Sequence, residues 1–176
     1  MSTDPVAALR ALIRDVPDFP RPGIVFRDIT VLLADPAGFR QAVDVMAERW
    51  REAEVTAVAG IESRGFILGG AIAHVLGAGF VAVRKQGRLP GTTVAEAYQL
   101  EYGEAVLEVH ADAVQAGERV LVVDDLLATG GTAAATVHLL RRIGAEVVGC
   151  AFLVELDGLG GSGTLGQTGH TSLLLI

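Results

Sequence analysis

Lysine and cysteine are nearly missing from this chain. Of 14 basic residues among 176, Lys85 alone is lysine and the other 13 are arginine, so any role that demands an ammonium group has one candidate. The lone cysteine, Cys150, lies in the apolar segment Val147–Val154. It excludes an internal disulfide and a multi-cysteine metal site, is expected to be a small core residue, and makes the cytoplasm the expected compartment. No basic run occurs, and 14 Lys plus Arg stand against 21 Asp plus Glu for a net charge of −7. A surface that gains affinity by neutralising many phosphates is therefore not expected, and nucleic acid is excluded as a partner.

Long hydrophobic runs are also missing. Mean hydropathy is +0.45, yet no stretch of about 18 residues is free of charges and turn signals, so a membrane partner is not expected. Residues 1–16 carry Asp4, Arg10, Arg14 and Asp15 at helical spacing, which is unlike a signal peptide. His74, His110, His138 and His170 are scattered without metal-ligand spacing, and no serine, histidine and acid set forms a hydrolase motif. A length of 176 residues with 51% hydrophobic content suits a single domain with a sizeable core.

What is present is a run of βα units. Asp4-Pro5 and Asp35-Pro36 each join a capping carboxylate to a proline suited to the first helical turn. After the second, Phe39, Val43, Met46 and Trp50 share one helical face, with Trp50 expected in the core. Between these helices the proline-rich stretch 17–23 predicts an irregular excursion, followed by a short extended segment over 24–29. From Val55 the pattern changes to short apolar runs separated by glycine-rich turns. Val55–Ala59, Phe80–Val83, Val120–Val123, Val147–Val154 and Ser172–Ile176 are the predicted strands, and Gly65–Leu76 and Thr132–Ile143 the predicted helices. The first four strands lack polar alternation, as strands covered on both faces of a parallel sheet do. Gly158–Gly169 is glycine-rich and is expected to be a loosely packed loop.

The most informative stretch is Val120-Leu121-Val122-Val123-Asp124-Asp125-Leu126-Leu127-Ala128-Thr129-Gly130-Gly131-Thr132. It reads as strand, two carboxylates, small-residue loop and helix start. Backbone N–H groups from Ala128 to Thr132 would form an anion cradle, Gly130 and Gly131 would let the backbone approach closely, and Thr129 and Thr132 would add hydroxyl donors. Two acids beside an anion site need an intervening donor-rich group, and a sugar diol is one. Asp124 and Asp125 are thus expected to read a ribose, directly or through magnesium-bound water. A lone Asp-Asp would be no more than a strand end and helix cap. The string has neither the Gly-x-x-x-x-Gly-Lys-Ser/Thr spacing of a nucleotide P-loop nor a dinucleotide fingerprint.

This string resembles the 5-phosphoribosyl-1-pyrophosphate motif of the type I phosphoribosyltransferase family, and the likeness extends over nearly the whole chain to the branch that uses adenine. Pro22-Gly23-Ile24-Val25-Phe26-Arg27-Asp28-Ile29 resembles the base-binding segment, and Glu62-Ser63-Arg64-Gly65-Phe66 the pyrophosphate loop. Residues Arg84 to Gly91, followed by Leu100-Glu101-Tyr102-Gly103, resemble the mobile catalytic loop. Four segments in the right order are far more specific than one. The resemblance implies an α/β type I phosphoribosyltransferase fold with a mostly parallel central sheet flanked by helices. It also implies a small N-terminal base-binding hood, about residues 1–34, within one domain spanning 1–176. The implied reaction is adenine plus 5-phosphoribosyl-1-pyrophosphate giving AMP and pyrophosphate, with Mg2+, in a homodimer.

Residue roles follow from the same likeness. Ser63, Arg64, Lys85 and Arg88 would meet the pyrophosphate, with Arg64 and Lys85 neutralising charge as it leaves. Alone, the Gly60–Gly65 turn reads equally as an ordinary βα turn. Glu62-Ser63 is where the family's non-proline cis peptide is expected. Glu101 would exchange a proton at the adenine imidazole edge, and Tyr102 would help close the lid. Phe26, which alone would read as core, is expected to stack on the base, with Val25 and Arg27 at its edge. Glu104 and Glu108 are expected to be solvent charges. The loop Gln86–Ala97, rich in Gly, Thr and Pro, is expected to be a lid. The family usually has lysine where Arg88 stands and often proline where Gln86 stands, a change that alters geometry at Arg88 but keeps charge.

Two other functions compete. One is transfer to hypoxanthine, guanine or xanthine, which differ from adenine by a few hydrogen bonds. The other is a non-catalytic sensor of 5-phosphoribosyl-1-pyrophosphate that regulates transcription. Acidic charge, the lack of a DNA-binding extension and a retained catalytic loop weigh against it.

Overall fold

A computed structural model describes residues 5–100 and 103–176. The chain separates into two compact units, one running up to Val45 and one from Met46 to Ile176. The first contains helix α1 (Pro5–Ala11), strands β1 (Arg14–Pro17) and β2 (Val25–Asp28), the single turn α2 (Thr30–Ala34) and most of α3 (Pro36–Glu48). Strands β1 and β2 form an antiparallel ribbon with Val16 opposite Phe26. Strand β1 lies largely within residues 1–16, whose charges have helical spacing, yet the helix ends at Ala11 and the chain turns extended before the proline-rich stretch at 17–23. As expected, Asp35 caps α3, its Oδ1 accepting the Gly38 N–H at 2.6 Å. Val43 and Met46 are buried along the predicted face of that helix.

In the second unit a short 3-10 turn, α4 (Arg51–Ala53), precedes a strand and helix series. It runs β3 (Ala57–Ile61), α5 (Arg64–Leu76), β4 (Gly79–Lys85), β5 (Thr93–Leu100), β6 (Gly103–His110), β7 (Arg119–Leu127), α6 (Gly131–Arg142), β8 (Glu146–Glu155), α7 (Gly161–Thr164) and β9 (His170–Leu175). Seven strands make one sheet in the order β5-β6-β4-β3-β7-β8-β9. The pairs β4–β3, β3–β7, β7–β8 and β8–β9 are parallel, while β6 runs antiparallel to both of its neighbours. Each predicted strand is present with ends shifted by one to four residues, the usual latitude for strands recognised by burial.

Successive strand residues face opposite sides, and the sheet uses both. Ala57, Ala59, Ile61, Val81, Val83, Val120 and Val122 join Val137 and Leu140 of α6 in one core cluster. On the other side α5 comes so close that a Cβ added at Gly69 would stand 3.3 Å from Gly60 Cα, and Phe66 meets Phe80 edge to face at 5.7 Å. Trp50 is buried as expected, and its indole N–H donates to Thr171 Oγ1 at 3.2 Å. Burial pushes the Cys150 thiol up to about 12, which suits an inert core residue.

Two expectations fail here. The Gln86–Ala97 loop is shorter than predicted, because β5 begins at Thr93 and pairs with β6 along its whole length. Gly158–Gly169 is not loose: it contains α7, with Gly161, Leu165 and Thr168 buried.

Candidate active site

The site is built at the carboxyl ends of three adjacent parallel strands, the usual ligand position in an open α/β sheet. Register sets Ile61 of β3 beside Val83 of β4, and Gly60 of β3 beside Val123 of β7. The residues that follow therefore converge: Lys85 at the end of β4, Glu62-Ser63-Arg64 after β3, and Asp124-Asp125 on β7. They line a cavity of about 570 Å3 together with Ala128, Thr129, Gly130, Gly131 and Thr132. The peptide bond Glu62-Ser63 is cis, where the resemblance implied one.

The walls of the cavity differ in charge. Arg64 Nε lies 2.7 Å from Asp125 Oδ2, and the Asp125 N–H donates to Asp124 Oδ1 at 2.9 Å. Burial and the neighbouring carboxylate push Asp124 well above its ordinary value. Burial also raises Asp125, against the opposing pull of the Arg64 guanidinium. The loop from Ala128 ends in Gly130, whose φ of 83° suits glycine, and α6 begins at Gly131. The first N–H groups of a helix have no acceptor within it, so this wall presents donors without any cation.

Close packing fixes the first turn of α5. A Cβ at Gly65 would stand 2.8 Å from the Val123 carbonyl oxygen and 2.9 Å from Asp124 Oδ1. Only glycine lets the helix start lie directly on the strand that carries the two carboxylates. Next to it, Arg84 Nε donates to Glu62 Oε2 at 2.8 Å, so Arg84 braces the turn.

Arg88 is not brought to the cavity. Its side chain is exposed, while its backbone N–H and that of Leu89 donate to Glu108 Oε1 at 2.9 and 2.8 Å. Glu108, expected to be a solvent charge, is buried, because the chain after β4 folds back over it. Burial works against its charge, but donors from Leu89, Gly87, Arg88 and the Thr93 hydroxyl prevail and hold the carboxyl below its ordinary value. Glu104, by contrast, is exposed. Tyr98 was missed: it lines the cavity from β5, and the Thr132 hydroxyl donates to its phenol oxygen at 3.3 Å. The period-two pattern of a recognised strand would have put it on the same face as Glu96. Glu101 and Tyr102 lie outside the described residues.

Val25, Phe26 and Arg27 sit on β2 of the N-terminal unit. Within it Phe26 meets Phe19 edge to face at 5.2 Å, and Arg27 Nη1 lies 2.6 Å from Asp15 Oδ1. The hydrogen bond from Arg27 holds the Asp15 carboxyl below its ordinary value.

A mostly parallel sheet with a donor-lined turn, one buried and one half-buried carboxylate and two cations at its carboxyl edge suits a phosphoribosyltransferase, and the model of the phosphoribosyl transferase domain matches residues 28–164. The adenine phosphoribosyltransferase of Dinoroseobacter shibae is 60% identical over 157 residues, 89% of this chain and 88% of that protein. The solved adenine phosphoribosyltransferase of Rhodothermus marinus is 54% identical with a TM-score of 0.94, covering 98% of both chains. That of Saccharomyces cerevisiae, complexed with an imino-altritol bisphosphate and adenine, is 36% identical with a TM-score of 0.92 over 97% of this chain and 98% of its own. The chain belongs to the adenine phosphoribosyltransferase family.

Proposed function

We propose that this chain joins adenine to 5-phosphoribosyl-1-pyrophosphate, releasing pyrophosphate and forming AMP, with the work divided among the residues of the cavity. The convergence of the β7–α6 turn, the β3–α5 turn and Lys85 on one cavity carries this division. The donor wall, Ala128 to Thr132, takes the 5′-phosphate. Asp124 and Asp125 accept from the ribose hydroxyls. Ser63, Arg64 and Lys85 take the pyrophosphate, where the two cations neutralise the charge that builds as the glycosidic carbon gains oxocarbenium character. Arg88, exposed on the chain after β4, is assigned to the pyrophosphate as a further cation.

Val25, Phe26 and Arg27, in the hood segment of about residues 1–34, are assigned to adenine, the phenyl ring to its face and the other two to its edge. Glu101 exchanges the proton at the imidazole edge as the new bond forms, and Tyr102 closes the lid. No group of three or more His, Cys, Asp or Glu among the described residues could hold a metal by itself. Two carboxylates on one wall suit a magnesium ion that keeps most of its oxygen ligands from substrate and water, with Asp124 and Asp125 reaching it through water. When bound, the ion would spread the charge of the leaving group. A homodimer and a cytoplasmic location complete the proposal.

The test is purified protein with labelled adenine, 5-phosphoribosyl-1-pyrophosphate and Mg2+, with hypoxanthine, guanine and xanthine in parallel. AMP is the expected product, and turnover of another base in preference to adenine would overturn the assignment of substrate. Glu101→Gln is expected to lower kcat by about 10²–10⁴-fold, the range for a general acid or base, with little change in KM. Equal small changes in both would remove Glu101 from the chemistry.

A further inference from the structure

The segment after β8 is glycine-rich, has no charged group from Gly158 to Gly169, and takes no part in the chemistry above. Two of its glycines nonetheless have opposite surroundings. A Cβ at Gly161 would stand 2.3 Å from the carbonyl oxygen of Ala128 and 2.9 Å from Leu127 Cγ, distances that real side chains do not adopt. A Cβ at Gly163, two residues on in the same short helix, would meet nothing within 4 Å. The contact is mutual, since a Cβ at Gly130 would stand 2.6 Å from the Gly161 carbonyl oxygen and 2.8 Å from Thr164 Cβ. Both sides of the contact are anchored. Leu165, at the end of α7, is buried in the main core, and the Leu156 N–H donates to the Leu127 carbonyl at 2.9 Å.

We infer that α7 is the support of the phosphate cradle, and that Gly161 is a positioning residue for the 5′-phosphate; this rests on the assignment of Ala128 to Thr132 to that phosphate. The Ala128 carbonyl and the Thr129 N–H belong to one planar peptide unit. Whatever displaces that oxygen rotates the N–H on the other side of the plane. With Gly161 in place, the Ala128 carbonyl rests against α7 and the Thr129 N–H keeps its direction toward the cavity. A methyl group there tips the peptide and misaims a donor that has no charge to compensate. The pyrophosphate side, held by Arg64 at the start of α5 and Lys85 at the end of β4, is unaffected.

Calorimetric titration separates the two halves of the substrate. Ribose 5-phosphate reports the cradle and inorganic pyrophosphate with Mg2+ reports the cations, each measured on the native protein, Gly161→Ala, Gly163→Ala and Thr132→Val. Gly161→Ala is expected to weaken ribose 5-phosphate about tenfold, one lost or misdirected hydrogen bond, and to leave pyrophosphate within twofold. Gly163→Ala should change neither. Equal behaviour of the two glycine variants, or equal weakening of both ligands by Gly161→Ala, overturns the role of α7. If Thr132→Val leaves ribose 5-phosphate binding intact, the assignment of the cradle fails and the role of α7 with it. Thr132→Val weakening it while Gly161→Ala does not would sink the support alone. Should Gly161→Ala not fold, Leu165→Val, which loosens the same helix from below, must give the same selective loss.

Discussion

The turns after β3 and β7 are neighbours with the same strand–turn–helix construction, and both line one cavity, but they are held by different forces. Charge braces the first: Arg84 holds Glu62, and Arg64 reaches across to Asp125. Backbone packing supports the second, with Gly130 and Gly161 in close approach and no side-chain cap on α6. A charge-held turn should respond to the charge and pH of its surroundings, and a packed turn to volume. The division also suits the ligands proposed for each. A leaving group that gains charge is best met by cations. A phosphate whose charge stays constant through the reaction needs only fixed dipoles.

Of the two turns, the charge-held one should show the larger effect. Arg64→Ala should lower kcat/KM by about 10²–10³-fold, the typical loss when one stabilising donor to developing charge is removed. It also strands Asp125, a buried carboxylate, so the thermal midpoint should fall as well. The double variant Arg64→Ala, Asp125→Ala should recover the midpoint but not the activity. Recovery of both, or a loss in kcat/KM below tenfold, would mean that Arg64 serves only to balance Asp125.

Packing makes its own contribution at the charge-held turn, and a second pair of glycines measures it. Gly65 abuts the Val123 carbonyl, whereas a Cβ at Gly70 on the same helix would meet nothing within 4 Å. Gly65→Ala should destabilise by about 1–3 kcal/mol through overpacking. Each kcal/mol lowers the midpoint by about 2–4 °C for a chain of this size. Gly70→Ala should stabilise by up to about 1 kcal/mol, because alanine is the better helix former. Equal shifts in thermal melts would show that close approach at Gly65 is not what seats α5.

The ligand-free stability of the cavity depends on pH in a direction set by its carboxylates. Asp124 and Asp125 hold their protons more tightly in the folded chain than in the unfolded one. Between the ordinary value of 3.8 and their raised values, the native state binds more protons, so stability falls as pH rises through that window and is level above it. Asp124→Asn keeps an oxygen for the Asp125 N–H and removes the repulsion. It should raise the midpoint at pH 7, with the gain shrinking as pH is lowered from the raised value toward 3.8 and gone below it, while activity drops. A variant less stable than the native chain at pH 7 would show that Arg64 already compensates both charges.

How much of this was visible in the sequence depends on what held each part. The parallel strands were legible because burial on both faces leaves continuous apolar runs, as in Val120–Val123. The two βα turns were legible because carboxylates, small residues and glycines cluster there, and the cis bond at Glu62-Ser63 was expected from the resemblance. Parts fixed by distant backbone were not. Nothing local marks Gly161 as different from Gly163, since the distinction comes from the Ala128 carbonyl more than 30 residues earlier. Glu108 looks like any charged residue on a strand edge until the chain at 87–89 folds over it. The β5–β6 pairing was hidden because its connection lacks the Asn-Gly or Asp-Gly signal of a tight hairpin, and Tyr98 was lost with it.

Glu108 also supplies the smallest test, because it represents a third way of holding a turn, in which one carboxylate gathers several backbone donors. Its protonation runs opposite to that of the cavity pair. With its carboxyl held below 4.5 in the folded chain, the stability it contributes is fully present above that value and is lost as pH falls through the lowered one. Glu108→Gln retains one oxygen for the Arg88 and Leu89 N–H groups but exchanges charged hydrogen bonds for neutral ones, a difference of about 1 kcal/mol. The midpoint should therefore drop by about 2–4 °C at pH 7, with the gap to the native chain closing in acid, where the Asp124→Asn gain also closes from the other side. If the Glu108→Gln gap stayed constant with pH, the fold-back at 87–89 would be held by shape, and charge-held and packed turns would suffice to describe this edge of the sheet.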